Sequence, residues 1–198
     1  MSLRKWWIAC SLVLTTWLAG CAHPVTLAPD LSKIPPAAGG ATLSKTAGYV
    51  ITAQDRDRQV TSAGGGGDQI SYYPYRDLEA GIYAALSHVF SNVVRLDSTN
   101  DKDAIRAKHV DVIVLPHIET SSSSDGLFTW PPTQFSIKIH CQLLSSSGDS
   151  LGWVTAQGDG SATFSEFSSN FSLSAQRASE NVLADFVQQL SKSEALHH

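Results

Sequence analysis

Hydrophobic positions along this chain are spaced in four ways, and each spacing predicts a different kind of element. Trp6 to Leu18 is a short run almost without charge. In Asp77–Asn92 the apolar residues Leu78, Ile82, Ala85, Leu86, Val89 and Phe90 recur at helical spacing, which predicts an amphipathic helix. Val110–Ile118 is almost continuously apolar, as an interior strand covered by other elements would be. Phe135, Ile137, Ile139, Cys141 and Leu143 alternate with Ser136, Lys138, His140 and Gln142, the pattern of a half-buried antiparallel strand. A second helical stripe, Ala178, Val182, Leu183, Phe186, Val187 and Leu190, follows caps at Ser172 or Ser174.

The segments between these complete the order. Gly48–Ala53 reads as the first strand, Gly64–Gly67 as a hairpin or loop, and Val93–Leu96 as a strand. Ser98 or Thr99 caps a short helix over Asp101–Lys108, and Pro116 implies that its strand leaves the sheet there or continues only at an edge. Thr120–Gly126 reads as a loop. The SSSGDS turn and LGWVTAQGDG complete a hairpin, and Ala162–Ser172, with Phe164, Phe167 and Phe171 among serines, is extended or loops back. The expected fold is α+β: a mixed, largely antiparallel sheet with two main helices on one face. The expected division is a leader over 1–20, a flexible tether over 21–46 with four prolines and a Gly-Gly pair, one domain over 47–193, and a disordered tail over 194–198.

The leader changes the picture most. Arg4 and Lys5, the apolar run, and then Leu18-Ala19-Gly20-Cys21 fit a bacterial lipoprotein signal, with cleavage between Gly20 and Cys21. Cys21 then carries a diacylglycerol on sulfur and an acyl chain on its amino group, enough for stable membrane anchoring. No other cofactor is expected. Ala22, where an Asp would retain the protein at the inner membrane, directs the expectation to the inner leaflet of the outer membrane, facing the periplasm. The formal net charge is −4, and −6 once Arg4 and Lys5 are removed, which argues against a nucleic-acid binder and against electrostatic attraction to anionic lipid. Cys141 is left as a lone thiol and reads as a small core residue.

Candidate chemistry is sparse. GxSxG, HExxH, DxDxDG and CxxC are all absent. His109 and His117, at opposite ends of one strand about 25 Å long, do not share a metal, and no metal site is expected. Phe128, Trp130, Pro131 and Pro132 form the most unusual local composition in the domain, suited either to docking as a rigid aromatic knob or to covering one end of the sheet.

LAGC, RDLEAGIYAALSHVF leading into VVRL, DVIVLPHI, FSIKIHCQLL with LGWVTAQ, and SAQRASENVLADFVQQL together resemble small bacterial envelope lipoproteins. These include the YajG-like proteins and the auxiliary lipoproteins of lipid-transporting ABC systems, whose domain resembles the TolB amino-terminal domain. The expectation is a non-catalytic docking or assembly module with an envelope protein partner. A lipid or glycan carrier and a cell-wall-active enzyme are the alternatives.

Overall fold

The computed structural model describes residues 22–37, 40, 42–124 and 131–197. In chain order its elements are β1 (Ala22–Pro24), β2 (Leu43–Val50), α1 (Ala53–Asp57), β3 (Val60–Ala63), β4 (Gln69–Tyr72), α2 (Pro74–Ser87) and β5 (Phe90–Leu96). There follow α3 (Lys102–Ala107), β6 (Val112–Ser123), β7 (Gln134–Ser145), β8 (Ser150–Ser161), α4 (Phe164–Phe167) and α5 (Leu173–Lys192). Five strands form the main sheet in the order β5-β2-β6-β7-β8; β5, β2 and β6 run parallel, while β6, β7 and β8 form long antiparallel ladders. A smaller mixed sheet has the order β1-β4-β3. The expected α+β architecture is present, with α2 and α5 sharing one core on one face of the main sheet. The short α3 helps close a second, smaller core on the other face, where Ile105 packs with Val50, Leu96, Val110, Ile113 and Leu144.

The alternation at β7 works as its period requires, with Phe135, Ile137, Ile139, Cys141 and Leu143 all buried against the helices. Several boundaries differ from expectation. β2 begins at Leu43, five residues before the predicted strand. α2 starts at Pro74, where the missing N–H costs nothing, and stops at Ser87, because Phe90 leaves the helical stripe to pair with Leu43. Asp101, not Ser98 or Thr99, caps α3 by accepting from Ala104 N at 2.9 Å. β6 runs through Pro116 to Ser123, so the predicted Thr120–Gly126 loop is strand over its first four residues. Its pairing with β2 reaches only Val114, so Pro116 lies where β6 has β7 as its one strand partner. The hydroxyls beyond it bond to the small sheet: Thr120 Oγ1 to Tyr72 Oη at 2.8 Å, and Ser122 Oγ to Ser62 Oγ at 2.7 Å.

The expected tether and tail are corrected where they are described. Val25, Leu27, Ile34 and Ala37 are buried in the main core, β1 pairs with β4, and Leu43–Thr46 belongs to β2. Glu194–Leu196 forms a 3-10 turn with Leu196 fully buried. Isolated apolar side chains in a proline-bearing segment show no helical or strand period, yet each can seat in a groove between other elements. Burying one such side chain is worth about 1.5–3 kcal/mol.

The tightest packing lies between α5 and β8. A Cβ on Gly158 would stand 2.1 Å from Val182 N and 2.5 Å from Ala178 O, and one on Gly160 would stand 2.1 Å from Ser174 O. Helix backbone therefore rests directly on strand backbone, helped by the small residues Ser174, Ala175, Ala178 and Ser179. α5 also covers the free edge of β8. Asp185 Oδ2 accepts from Gln157 N at 2.9 Å, Asn181 Nδ2 donates to Asp159 O at 2.7 Å, and Arg177 Nη1 donates to Ser161 O at 2.7 Å. Because rigid backbone is what a Gly158 side chain would meet, Gly158→Ala should destabilise the domain by about 3 kcal/mol or more, at or above the top of the usual overpacking range. Urea denaturation measures this, and a midpoint unchanged from the parent would contradict the packing described.

Candidate functional site at the amino-terminal end

The amino-terminal segment is built into one end of the domain. Ala22, His23 and Pro24 pair with Gln69, Ile70 and Ser71, and His23 Nε2 lies 3.8 Å from Asp68 Oδ2. The neighbouring β3–β4 hairpin turns through Gly64–Gly67, where Gly66 and Gly67 take φ of 66° and 89°, a region that favours glycine. This loop and Ser124, at the end of β6, line an open depression of about 790 Å³.

Past β1 the chain crosses both main helices as a strap. Val25 N donates to Ser71 O at 3.0 Å, Thr26 N to Ser172 Oγ at 3.0 Å, and Leu27 N to Asp77 Oδ2 at 2.9 Å. Asp77 lies in the first turn of α2, where the helix dipole favours a carboxylate. Lys33 Nζ then reaches Glu180 Oε1 on α5 at 3.0 Å. Pro29 and Leu183 converge on Gly81 of α2, where an added Cβ would lie 3.0 Å from Pro29 Cγ and 2.4 Å from Leu183 Cδ1.

The same end carries the connection from β8 to α5. Ala162 N donates to Thr133 O at 2.9 Å, and Ser174 Oγ donates to Pro132 O at 2.7 Å. Between these, α4 is fixed by a capping box: Thr163 N and Oγ1 donate to Glu166 Oε2 at 3.0 and 2.8 Å. Arg177 Nη2 bonds Glu166 Oε1 at 2.8 Å. That guanidinium, with the Thr163 donors, holds the Glu166 carboxyl down at about 2. The rigid turn places Phe167 inward and Phe164 outward, with the rings edge to face at 5.1 Å. Phe164 is 69% exposed and Phe171 48%.

The predicted site residues divide into two groups. Gly20, Cys21, Phe128 and Trp130 lie outside the described residues. Pro131 and Pro132 are buried under the start of α5, so neither offers an exposed docking face. The sequence pattern did not mark out Phe164 and Phe171. Phe164, Phe167 and Phe171 stand at i, i+3 and i+7, the spacing of one helical face, so the pattern does not separate the buried Phe167 from its two exposed neighbours. Cys141 is buried as expected, and burial pushes its thiol up to about 12, which leaves it inert.

Two other surfaces carry polar or aromatic groups. The face of β6–β8 opposite α5 presents cross-strand rows: Leu115, Gln142 and Trp153; His117, His140 and Thr155; Glu119, Lys138 and Gln157. Trp153 is 62% exposed, and His140 Nδ1 lies 3.0 Å from Thr155 Oγ1. Outside α2, Leu31, Tyr83 and the edge of Tyr49 line a shallow groove. Beside it Glu79 meets Arg56 at 2.8 Å and the Tyr49 hydroxyl at 3.3 Å, and burial, then the Glu79 charge, pushes that hydroxyl above its usual range. Among the described residues no group of three or more His, Cys, Asp or Glu could hold a metal ion, and no helix is long and apolar enough to cross a membrane.

No protein-family model matches the chain, and no curated protein does. Among solved structures, a Xanthomonas campestris protein described as family DUF330 is similar with a TM-score of 0.47 and 14% identity, over 86% of this chain and 90% of that one. The PelC dodecamer from Paraburkholderia phytofirmans is similar with a TM-score of 0.42 and 13% identity, over 76% of this chain and 94% of that one. Neither likeness transfers a residue role.

The lowered Glu166 value sets a pH dependence. The ion pair and capping box contribute stability above pH about 4.5, and the contribution is lost as the pH falls toward about 2. Glu166→Gln should therefore be less stable than the parent at neutral pH, with the difference closing over that interval in urea titrations. A difference that stays constant from pH 7 to pH 2 would contradict this account of α4.

Proposed function

We propose that this protein is a periplasm-facing lipoprotein of the outer membrane, anchored through Cys21, that serves as a non-catalytic docking or assembly module for an envelope or transport complex. One observation carries the reading. The Leu18-Ala19-Gly20-Cys21 motif is followed, one residue later, by chain that is part of a folded domain. Acyl groups on Cys21 would therefore attach to the domain itself at a fixed end. A module held at a surface meets partners on that surface at a high effective concentration, which suits docking more than turnover of a soluble substrate.

The part of the β6–β8 face that the smaller core leaves open supports the docking part of the reading. It presents exposed Trp153 and, two cross-strand rows further along, Glu119 opposite Lys138, a combination suited to a protein partner. Phe128 and Trp130 are retained as a second contact region. A ligand carried between sheet and helix finds no room at β8, where α5 backbone touches strand backbone.

Fractionation tests the anchor. Cys21→Ala should be exported yet appear in the soluble periplasmic fraction, whereas the parent sediments with outer membrane. Retention of the variant in the membrane fraction would overturn the proposal.

A further inference from the structure

We infer that Phe164 and Phe171 form a membrane-contacting surface, so that the domain rests on the bilayer that holds its own lipid anchor. The inference rests on the lipidation reading above and adds an orientation to it.

The argument begins with reach. Cys21 is joined to Ala22 by one peptide bond, which puts their Cα atoms about 3.8 Å apart. Ala22 is fixed by its ladder with Gln69. From there to Thr26 the extended chain spans at most about 14 Å. Thr26 N is bonded to Ser172 Oγ, and Phe171 is the adjacent residue. No free tether separates the attachment point from the domain, so the end of the molecule that carries Ala22 is held at the membrane surface. Phe164 belongs to the same end, because α4 is tied through Glu166 to Arg177 near the start of α5, and Ser172, the cap of α5, holds Thr26.

The chemistry of that end fits a lipid surface. Phe164 and Phe171 are 69% and 48% exposed, and they flank the buried Phe167. Phe164 opens α4, whose turn is fixed by the Thr163–Glu166 capping box and the Arg177 ion pair. Large aromatic side chains held outward gain free energy by entering the boundary between headgroups and acyl chains. The charged groups that hold α4 are engaged with one another, Glu166 Oε1 with Arg177 Nη2 at 2.8 Å. The contact is therefore apolar in character and should change little with ionic strength.

The test uses the full-length lipidated protein in vesicles of phosphatidylethanolamine and phosphatidylglycerol. A polarity-sensitive fluorophore is placed at Phe164→Cys, at Phe171→Cys, or at Ser147→Cys in the β7–β8 turn at the opposite end of the domain; Cys141 is buried and protected from labelling. Nitroxide-labelled lipid should quench the labels at 164 and 171 several-fold more than the label at 147, in low and high salt alike. Flotation with the vesicles but equal quenching at all three positions would overturn the membrane-contacting surface and leave the anchor standing. Failure to float would overturn both. A parallel variant, Phe164→Ser with Phe171→Ser, should still float but give a less ordered domain, seen as a loss of contrast between the label at 147 and one at Gly66→Cys. Undiminished contrast would count against the two rings as the contact.

Discussion

The direct contact between the backbones of α5 and β8 is the constraint on which the rest of the structure depends. Gly158 and Gly160 remove two side chains from β8, and Ser174, Ala175, Ala178 and Ser179 keep the facing stripe of α5 small. The helix then lies close enough for Arg177, Asn181 and Asp185 to bond the outer edge of the strand. An edge that would otherwise expose unpaired peptide groups is closed, and the position of α5 is set along and across the sheet. Everything that leans on α5 inherits that position: α4 through Arg177, the buried Pro132 through Ser174, and the amino-terminal strap through Ser172 and Glu180.

Much of this was legible in the sequence and part was not, for reasons that individual residues show. A period of two at Phe135–Leu143 and of 3.6 at Ala178–Leu190 arises from regular elements with one buried face, so those elements and the fold class follow directly. The strap has no period, because Val25, Leu27 and Ile34 join the main core singly from an irregular segment, and Pro29 between them needs no ladder partner. Such a segment has the composition of a linker and the burial of a core element. Phe90 misled in the opposite way, continuing a helical stripe although it belongs to β5. Gly158 and Gly160 carry no local signal within LGWVTAQGDG, because their role depends on a helix that arrives more than a dozen residues later in the chain.

The functional reading gains most from the strap. A domain on a long flexible leash could face any direction and reach far into the periplasm. With the chain secured from Ala22 onward, the proposed lipid at Cys21 is attached to one defined end, and the opposite turn and the open part of the β6–β8 face acquire definite directions relative to the bilayer. The same attachment makes exposed aromatics at the anchored end useful, since they would meet lipid and not water. Docking on the sheet face and contact at the anchored end are compatible, because they use different surfaces of the domain.

Amide hydrogen exchange of the chain from Ala22 onward tests the central claim most directly. The N–H groups of Val25, Thr26 and Leu27 are bonded to Ser71, Ser172 and Asp77, three separate parts of the fold. They should exchange slowly, within the range of amides in β4 and the first turns of α2. Exchange of all three at the rate of an unstructured peptide, with β4 and α2 still protected, would show the segment to be a free tether and would remove the basis for a fixed orientation at the membrane.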